Sequence, residues 1–272
     1  MPGRGAAERR LLHFWRSCMR TNIYIDGFNL YYGAVKDTAY KWLDLNKLSR
    51  SMLSPENQIV TIKYFTARVK PMGLDPTKPI KQETYLRALK TLPNVQIYFG
   101  HFLTNEFSRP LADDRQGGPQ LVKVHDLTLD RTHPQFKEAL KTSPIIRRPL
   151  AKKSNGLPQQ VRIIGTNEKG SDVNLAVQLL HDAHRKTYEV AVVISNDSDL
   201  VSPIQIIIKQ LRLKVGVINP QVRKGITDLH PSMQLKKTAS FYKEISEEAL
   251  RKSQFPPIMK DTVGEFHKPT SW

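Results

Sequence analysis

The chain has 272 residues, 39% of them hydrophobic, and its 42 Lys+Arg against 25 Asp+Glu give a formal net charge of +17 at pH 7. That length and apolar content exclude a disordered tail and suit one large domain, with or without appendages. A single cysteine, Cys18, excludes an internal disulfide framework and a Cys-based zinc cluster and fits a reducing, cytoplasmic setting. The positive excess calls for a polyanionic partner, nucleic acid ahead of an anionic membrane surface.

Residues 1–20, MPGRGAAERRLLHFWRSCMR, read as a disordered N-terminal extension whose apolar stretch Leu11 to Trp15 is too short for a signal-peptide core. No run approaches the roughly 20 apolar residues of a membrane helix, so no membrane partner is expected. From Thr21, TNIYI predicts a strand and NLYYGAV the opening of a helix. IVTIKYFTARV (Ile59 to Val69) predicts a second strand, QETYLRALKTL (Gln82 to Leu92) a helix, and NVQIYFGHFL (Asn94 to Leu103) a third strand. Near-continuous apolar strands alternating with amphipathic helices predict an α/β fold, a mostly parallel sheet with helices on both faces.

The rhythm breaks over residues 104–160, a proline-rich insertion. Within it KTSPIIRRPLAKK, with Arg147, Arg148, Lys152 and Lys153, reads either as a phosphate-tracking arm or as a solvated basic loop. Order returns with the strand VRIIGT, a helix from Ser171 to Arg185, the strand YEVAVVIS (Tyr188 to Ser195), a helix from Asp199 to Leu211 with Pro203 in its first turn, and the strand LKVGVIN (Leu213 to Asn219). The core domain is thus expected over 21–225. Residues 226–272 follow as a mainly helical extension packed through Phe241, Tyr242, Ile245 and Leu250.

In an open parallel sheet ligands bind beyond the carboxyl ends of the strands, where strand order reverses. A strand order of 3-2-1-4-5 places that reversal between the first strand and the one ending at Ser195. Asp26, in IYIDGFN, and Asp197, in ISNDSD, then face each other about 5 Å apart on neighbouring strand ends. Asp199 follows, and Asp172, in EKGSDV, opens a helix at the same end of the sheet. Each motif alone is a good helix cap or turn. Together they form an acidic cluster that calls for a cation, and oxygen-only ligands suit Mg²⁺ or Mn²⁺ for phosphodiester hydrolysis. Asn29 can aim its amide into the same crevice to orient water or phosphate. Glu168 can be a further ligand or a supporting carboxylate, and Lys169 can neutralise the cluster or contact phosphate. Ser195 and Asn196 are weaker candidates.

Bases could stack on some of Phe28, Tyr31, Tyr32, Tyr40 and Trp42, although core packing is the favoured reading at helical spacing. His181 and His184 lack a third ligand at metal-binding spacing. No Walker phosphate loop is present.

YIDGFNLYYGA, EKGSDVNLAVQLL and VVISNDSDLVSPI followed by KVGVINP resemble the NYN domain, a PIN-like nuclease fold, in its bacterial DUF88 or LabA-like branch. The resemblance spans about residues 20 to 225, and the C-terminal RKSQFPPIMKDTVGEFHKPTSW is similar to the end of that bacterial group. It implies a metal-dependent ribonuclease acting on RNA, with Asp26, Asp172, Asp197 and Asp199 on Mg²⁺ or Mn²⁺ and Asn29 as the motif asparagine. Many relatives carry glycine where Asn196 stands and a hydrophobic residue where Ser171 stands; neither difference removes a carboxylate. A non-catalytic RNA-binding module that retains the site is the alternative. A phosphatase is a third reading, disfavoured because Asp26-Gly27-Phe28 lacks a second aspartate after the first strand. A homodimer is left open.

Overall fold

A computed structural model describes residues 18–69, 76–110, 112–115, 118–121, 160–221, 231–270 and 272. The central strand β1 (Met19–Asp26) has its last six residues buried, which requires covered faces on both sides. Its side chains alternate accordingly, Ile23 and Ile25 entering one core layer and Tyr24 the other. β1 is followed by the short helix α1 (Gly27–Leu30), a π-helical turn (Tyr31–Val35), α2 (Leu45–Met52), β2 (Asn57–Ala67), α3 (Lys78–Lys90) and β3 (Val95–Pro110). Next come β4 (Ala112–Arg115), β5 (Gly118–Leu121), β6 (Gln160–Lys169), α4 (Ser171–His184), β7 (Val190–Ile194), a 3₁₀ turn (Ser198–Leu200), α5 (Val201–Lys209) and β8 (Lys214–Asn219). The chain ends with α6 (Met233–Thr238), β9 (Phe241–Glu244), α7 (Glu247–Lys252), β10 (Ile258–Lys260) and β11 (Glu265–His267).

The main sheet has seven strands in the order β6-β3-β2-β1-β7-β8-β9. The pairs from β3 through β9 are all parallel. The expected five-strand order is present as the run β3-β2-β1-β7-β8, with its reversal between β1 and β7, and one further strand is added at each edge. The chain divides into two compact units. One comprises Met1–His101 and Glu168–Trp272; the other, Phe102–Asn167, contains the antiparallel hairpin of β4 and β5. The insertion expected at 104–160 and the extension at 1–20 fall largely outside the described residues, as do Arg147, Arg148, Lys152 and Lys153.

The tail after β8 departs from its mainly helical expectation. Two short helices are present, but β9 extends the main sheet and β10 pairs with β11. A four-residue strand is too short for periodicity to reveal. What makes it a strand is the alternation of Phe241 and Tyr242 into opposite core layers, together with reciprocal bonds at its start. There the Ser240 N–H donates to the Val215 carbonyl and the Val215 N–H to the Ser240 hydroxyl. Ile245 and Leu250 are buried, as expected.

One face of the sheet is covered by α2, α3 and α7, the other by α4, α5 and α6. Trp42 is fully buried, in ring contact with Tyr85, Phe255, Phe266 and Trp272, and its indole N–H donates to the Pro256 carbonyl, so it is a core residue. Tyr40 packs against the same core and donates to Glu247.

On the other face α4 is fixed by a buried polar network. The Lys63 ammonium on β2 lies 2.6 Å from Asp182 Oδ2 and donates to Gln178 Oε1 at 2.8 Å, and the Tyr24 hydroxyl donates to the same Asp182 oxygen. Lys63 and Asp182 are each 6% exposed. At that depth the pair gains little over an apolar pair, but removal of one member strands a charge. Asp182→Ala should therefore cost about 3–5 kcal/mol in denaturant-unfolding stability, and the double variant Lys63→Met/Asp182→Leu much less than the sum of its single changes.

At the C-terminal pair, Arg87 donates two hydrogen bonds to Asp261 at 2.7 Å each. This fork holds the Asp261 carboxyl well below the usual carboxylate range, helped by the N–H groups of Val263 and Gly264. A carboxyl depressed by folding stabilises the protein fully above its ordinary unfolded pKa of about 3.9, and the contribution is lost as pH falls through the lower folded value. Asp261→Asn should lower thermal stability at neutral pH and narrow its gap to the wild type in strong acid, as measured by melting across a pH series.

Candidate active site at the sheet switch point

Asp26 stands at the carboxyl end of β1, where the strand order reverses between β1 and β7. It ends β1 and caps α1. Its Oδ1 accepts the N–H groups of Phe28 (3.0 Å) and Asn29 (2.9 Å), while Oδ2 accepts the Asn29 amide and, at 3.1 Å, the Ser195 hydroxyl. Asp26 is only 2% exposed. Burial pushes its carboxyl above the usual range; Asn29 and Ser195 oppose that shift and the charge of Asp197 adds to it.

The expected facing of Asp26 and Asp197 needs correction by two residues. Ile25 is in register with Ile194, so Ser195 stands at the level of Asp26 and Asp197 lies further along the chain. Ser195, fully buried, joins the two: its hydroxyl donates to Asp26 and accepts the Asp197 N–H at 3.1 Å. Asp197 is half-buried and caps the 3₁₀ turn that leads into α5, its Oδ1 accepting the Asp199 N–H at 2.9 Å. Asp199 is exposed at the rim.

Asn29 has a different task from the one expected of it. Its amide N–H goes to Asp26 and its oxygen accepts the Asn196 N–H at 3.2 Å, so it orients Asp26 and couples α1 to the loop after β7. The Asn196 side-chain oxygen in turn accepts the Ser232 N–H at 2.7 Å, and Ser232 caps α6. Three consecutive residues after β7 thus each hold a different neighbour.

Asp172 enters on the first turn of α4. Gly170 at the N-cap has φ 96° and no side chain to cap with, so Glu168 takes that role: one carboxylate oxygen accepts the Ser171 N–H at 3.1 Å and the other the Ser171 hydroxyl at 2.6 Å. Ser171 is buried and serves this cap. The turn also needs Gly100 on β3, since a Cβ there would lie 2.6 Å from the Lys169 carbonyl and against the Glu168 carboxylate. Lys169 is exposed. His181 and His184 are exposed on the last turn of α4, at the far end of the helix from Asp172.

Asp172 registers the convergence. It is half-buried, and its carboxyl is pushed up to about 6, first by burial and then by the charges of Asp26, Asp197, Glu168 and Asp199. Among the described residues no three acidic, histidine or cysteine side chains form a ready-made metal cage. Asp26, Asp197 and Glu168 spend oxygens on caps instead. The set nonetheless fits a hard divalent cation, because the neighbouring acidic charges push the Asp26 and Asp172 carboxyls further up beyond the effect of burial and a cation would relieve that repulsion.

Ser195 as a bridge, Gly100 and Ser232 are the site residues that the sequence undervalued. Only Gly100 carried a signal, since a glycine inside an aromatic strand marks a close backbone approach.

The fold is α/β with a mostly parallel sheet, and its acidic cluster stands at the switch point of that sheet. The model of the NYN domain matches residues 111–231, which include Asp172, Asp197 and Asp199 and begin after Asp26. The NYN resemblance of the motifs is thereby borne out. The chain is also 26% identical over 278 residues to the 6-hydroxy-3-succinoylpyridine 3-monooxygenase HspA of Pseudomonas putida, covering 93% of this chain and 75% of that protein. A solved structure of a protein of unknown function from Vibrio parahaemolyticus aligns with a TM-score of 0.45 and 15% identity, over 86% of this chain and 96% of that one. Among the described residues no helix is long and apolar enough to cross a membrane.

Gly100→Ala should displace Glu168 from Ser171 and loosen the start of α4. The expected cost is about 1–3 kcal/mol in urea unfolding, with Glu168→Gln, which keeps the volume, costing less.

Proposed function

We propose that this protein is a divalent-metal-dependent ribonuclease that hydrolyses phosphodiester bonds in RNA. The observation that carries the reading is the convergence on Asp172 of the charges of Asp26, Asp197, Glu168 and Asp199 at the switch point of a parallel sheet. The NYN match and the +17 charge of the chain support it from outside the site. Asp26, Asp172 and Asp197 would hold Mg²⁺ or Mn²⁺, with Asp199 supporting them from the rim. When bound, the cation supplies activation of water and neutralisation of charge on the phosphate.

The chain's own residues supply the rest. Asn29 and Ser195 fix the Asp26 carboxylate in one orientation, Ser195 sets the spacing to Asp197, and the Glu168–Ser171 cap sets Asp172. In hydrolysis a bond forms from water oxygen to phosphorus and the bond from phosphorus to a ribose oxygen breaks. One proton passes from the water to a site carboxylate and one is delivered to the leaving oxygen. Basic side chains, Lys169 nearest the site in sequence and Arg147, Arg148, Lys152 and Lys153 in the insertion, would hold the RNA backbone. The DUF88 or LabA-like branch and a cytoplasmic setting belong to the same proposal.

Similarity to the Pseudomonas putida protein favours one second reading, oxygen-dependent oxidation of a hydroxylated pyridine acid. A retained but inactive site on an RNA-binding module is the other.

RNA cleavage should require Mn²⁺ or Mg²⁺, stop with EDTA, and fall about a hundredfold or more in Asp197→Asn, whose melting curve should stay close to wild type. Salt-sensitive RNA binding that is indifferent to EDTA, without cleavage, would establish the binding module instead. Oxygen consumption with 6-hydroxy-3-succinoylpyridine and a reductant, with RNA left intact, would establish the oxidative reading.

A further inference from the structure

The end of the sheet opposite the acidic site carries the reverse charge. Helices α4, α5 and α6 each run back to the amino ends of the strands they precede, because β7, β8 and β9 are mutually parallel. Their exits therefore lie side by side, one strand spacing apart: Val190 is in register with Lys214, and Gly216 with Phe241. All three exits are basic. Arg185 and Lys186 follow α4, Lys209 ends α5 with Arg212 and Lys214 after it, and Lys237 stands in the last turn of α6; all six are exposed. None of the six has an ion-pair partner among the described residues, whereas Arg20 on the adjoining β1 is matched by Glu189, and the exposed Arg68 and Lys252 by Glu83 and Glu248.

Two of these cations occupy backbone positions that suit them poorly. Lys186 has φ 55° and Arg212 φ 58°, the left-handed region that favours glycine or asparagine. At Lys186 the geometry is that of a helix stop: its N–H donates to the Ala183 carbonyl at 3.1 Å and the Thr187 N–H to the Asp182 carbonyl at 3.1 Å. Glycine is the usual residue there. A basic residue near a helix C-terminus complements the helix dipole, but that effect falls off within the last turn and asks for no side chain in the left-handed region; Arg212 and Lys214 lie beyond the last turn of α5. Stability alone therefore does not account for lysine and arginine at both turns.

A row of unpaired, exposed cations fits a polyanion held by its charges. No large apolar side chain is exposed among them, and Leu211 and Leu213 pack against the core, so the row offers nothing to enter a bilayer and fits nucleic acid better than a membrane surface. Resting on the RNA reading above, we infer that the amino ends of β7, β8 and β9 form a second RNA-binding surface, which grips the phosphate backbone away from the acidic site and takes no part in bond breaking. Strands of five and six residues separate the two ends, roughly 17–20 Å. A long transcript can meet both ends, a trinucleotide only one.

The test compares the full-length chain with Lys186→Gly/Arg212→Gly, which removes two charges and gives both turns the residue their backbone favours. In EDTA, so that binding is read without cleavage, the variant should bind a long fluorescein-labelled transcript about tenfold more weakly by anisotropy, with the slope of log affinity against log salt smaller by about 1.4–1.8. Its melting temperature should be no lower than wild type, which a merely structural role for the two side chains would not give. Lys186→Glu/Arg212→Glu should weaken binding further, and trinucleotide cleavage in Mn²⁺ should be equal in all three proteins. Transcript affinity and salt slope unchanged in both variants would overturn the surface and leave the ribonuclease reading standing. The expected loss of affinity, measured beside a wild type that cleaves no RNA, would uphold the surface and overturn the ribonuclease reading. Trinucleotide cleavage that falls together with transcript binding would overturn the surface as a separate site. Co-sedimentation with phosphatidylglycerol vesicles that both variants lose, with transcript binding unchanged, would assign the row to a membrane instead.

Discussion

A carboxylate only 2% exposed at the end of the central strand is the constraint around which this structure is organised. Burying Asp26 is unfavourable unless its oxygens are supplied with donors, and four donors are supplied: two backbone N–H groups of α1, the Asn29 amide and the Ser195 hydroxyl. Each donor commits its own segment. Satisfying α1 forces the chain to turn at once after β1, and satisfying Ser195 forces β7 to run beside β1 in the register observed. The Asn29–Asn196–Ser232 chain then draws the segment before α6 to the same place. A single polar group thereby sets the position of elements from both halves of the sequence.

Electrostatics work on two length scales. The chain as a whole carries +17, while at the site burial and then the gathered carboxylates lift Asp172 to about 6. A net charge of that sign favours polyanions at long range, and the local negative charge favours a cation at the site. The helix that presents Asp172 is anchored near its other end by Asp182, whose charge is met by Lys63 and the Tyr24 hydroxyl. Tyr24 lies two residues before Asp26 on the same face of β1, so the anchor and the site share one strand and one helix, and a shift of α4 would disturb both.

Much of this was legible in the sequence, for reasons specific to each element. β1, β2, β7 and β8 are apolar over enough residues to admit one reading, and Asp26, Asp172 and Asp197 each lie at or next to the end of an element. The topological reversal between β1 and β7 follows from counting crossovers. What could not be read is of two kinds. Register is one: the spacing that makes Ser195, not Asp197, the neighbour of Asp26 depends on strand pairing across distant segments. Short elements are the other, since β9 is a strand only because Phe241 and Tyr242 find opposite core layers. Trp42 proved to be core, as spacing favoured, whereas Tyr32 is 52% exposed.

The bond between Ser195 and Asp26 closes a span of 169 residues. Because β1 is made early and its β7 neighbour late, the growing chain leaves the ribosome with Asp26 lacking one of its donors for most of synthesis. Pairing across that span is also the slow kind of contact to form. The acidic site is therefore incomplete on any nascent chain shorter than the one that carries β7, and the segments that build it come together only late in synthesis.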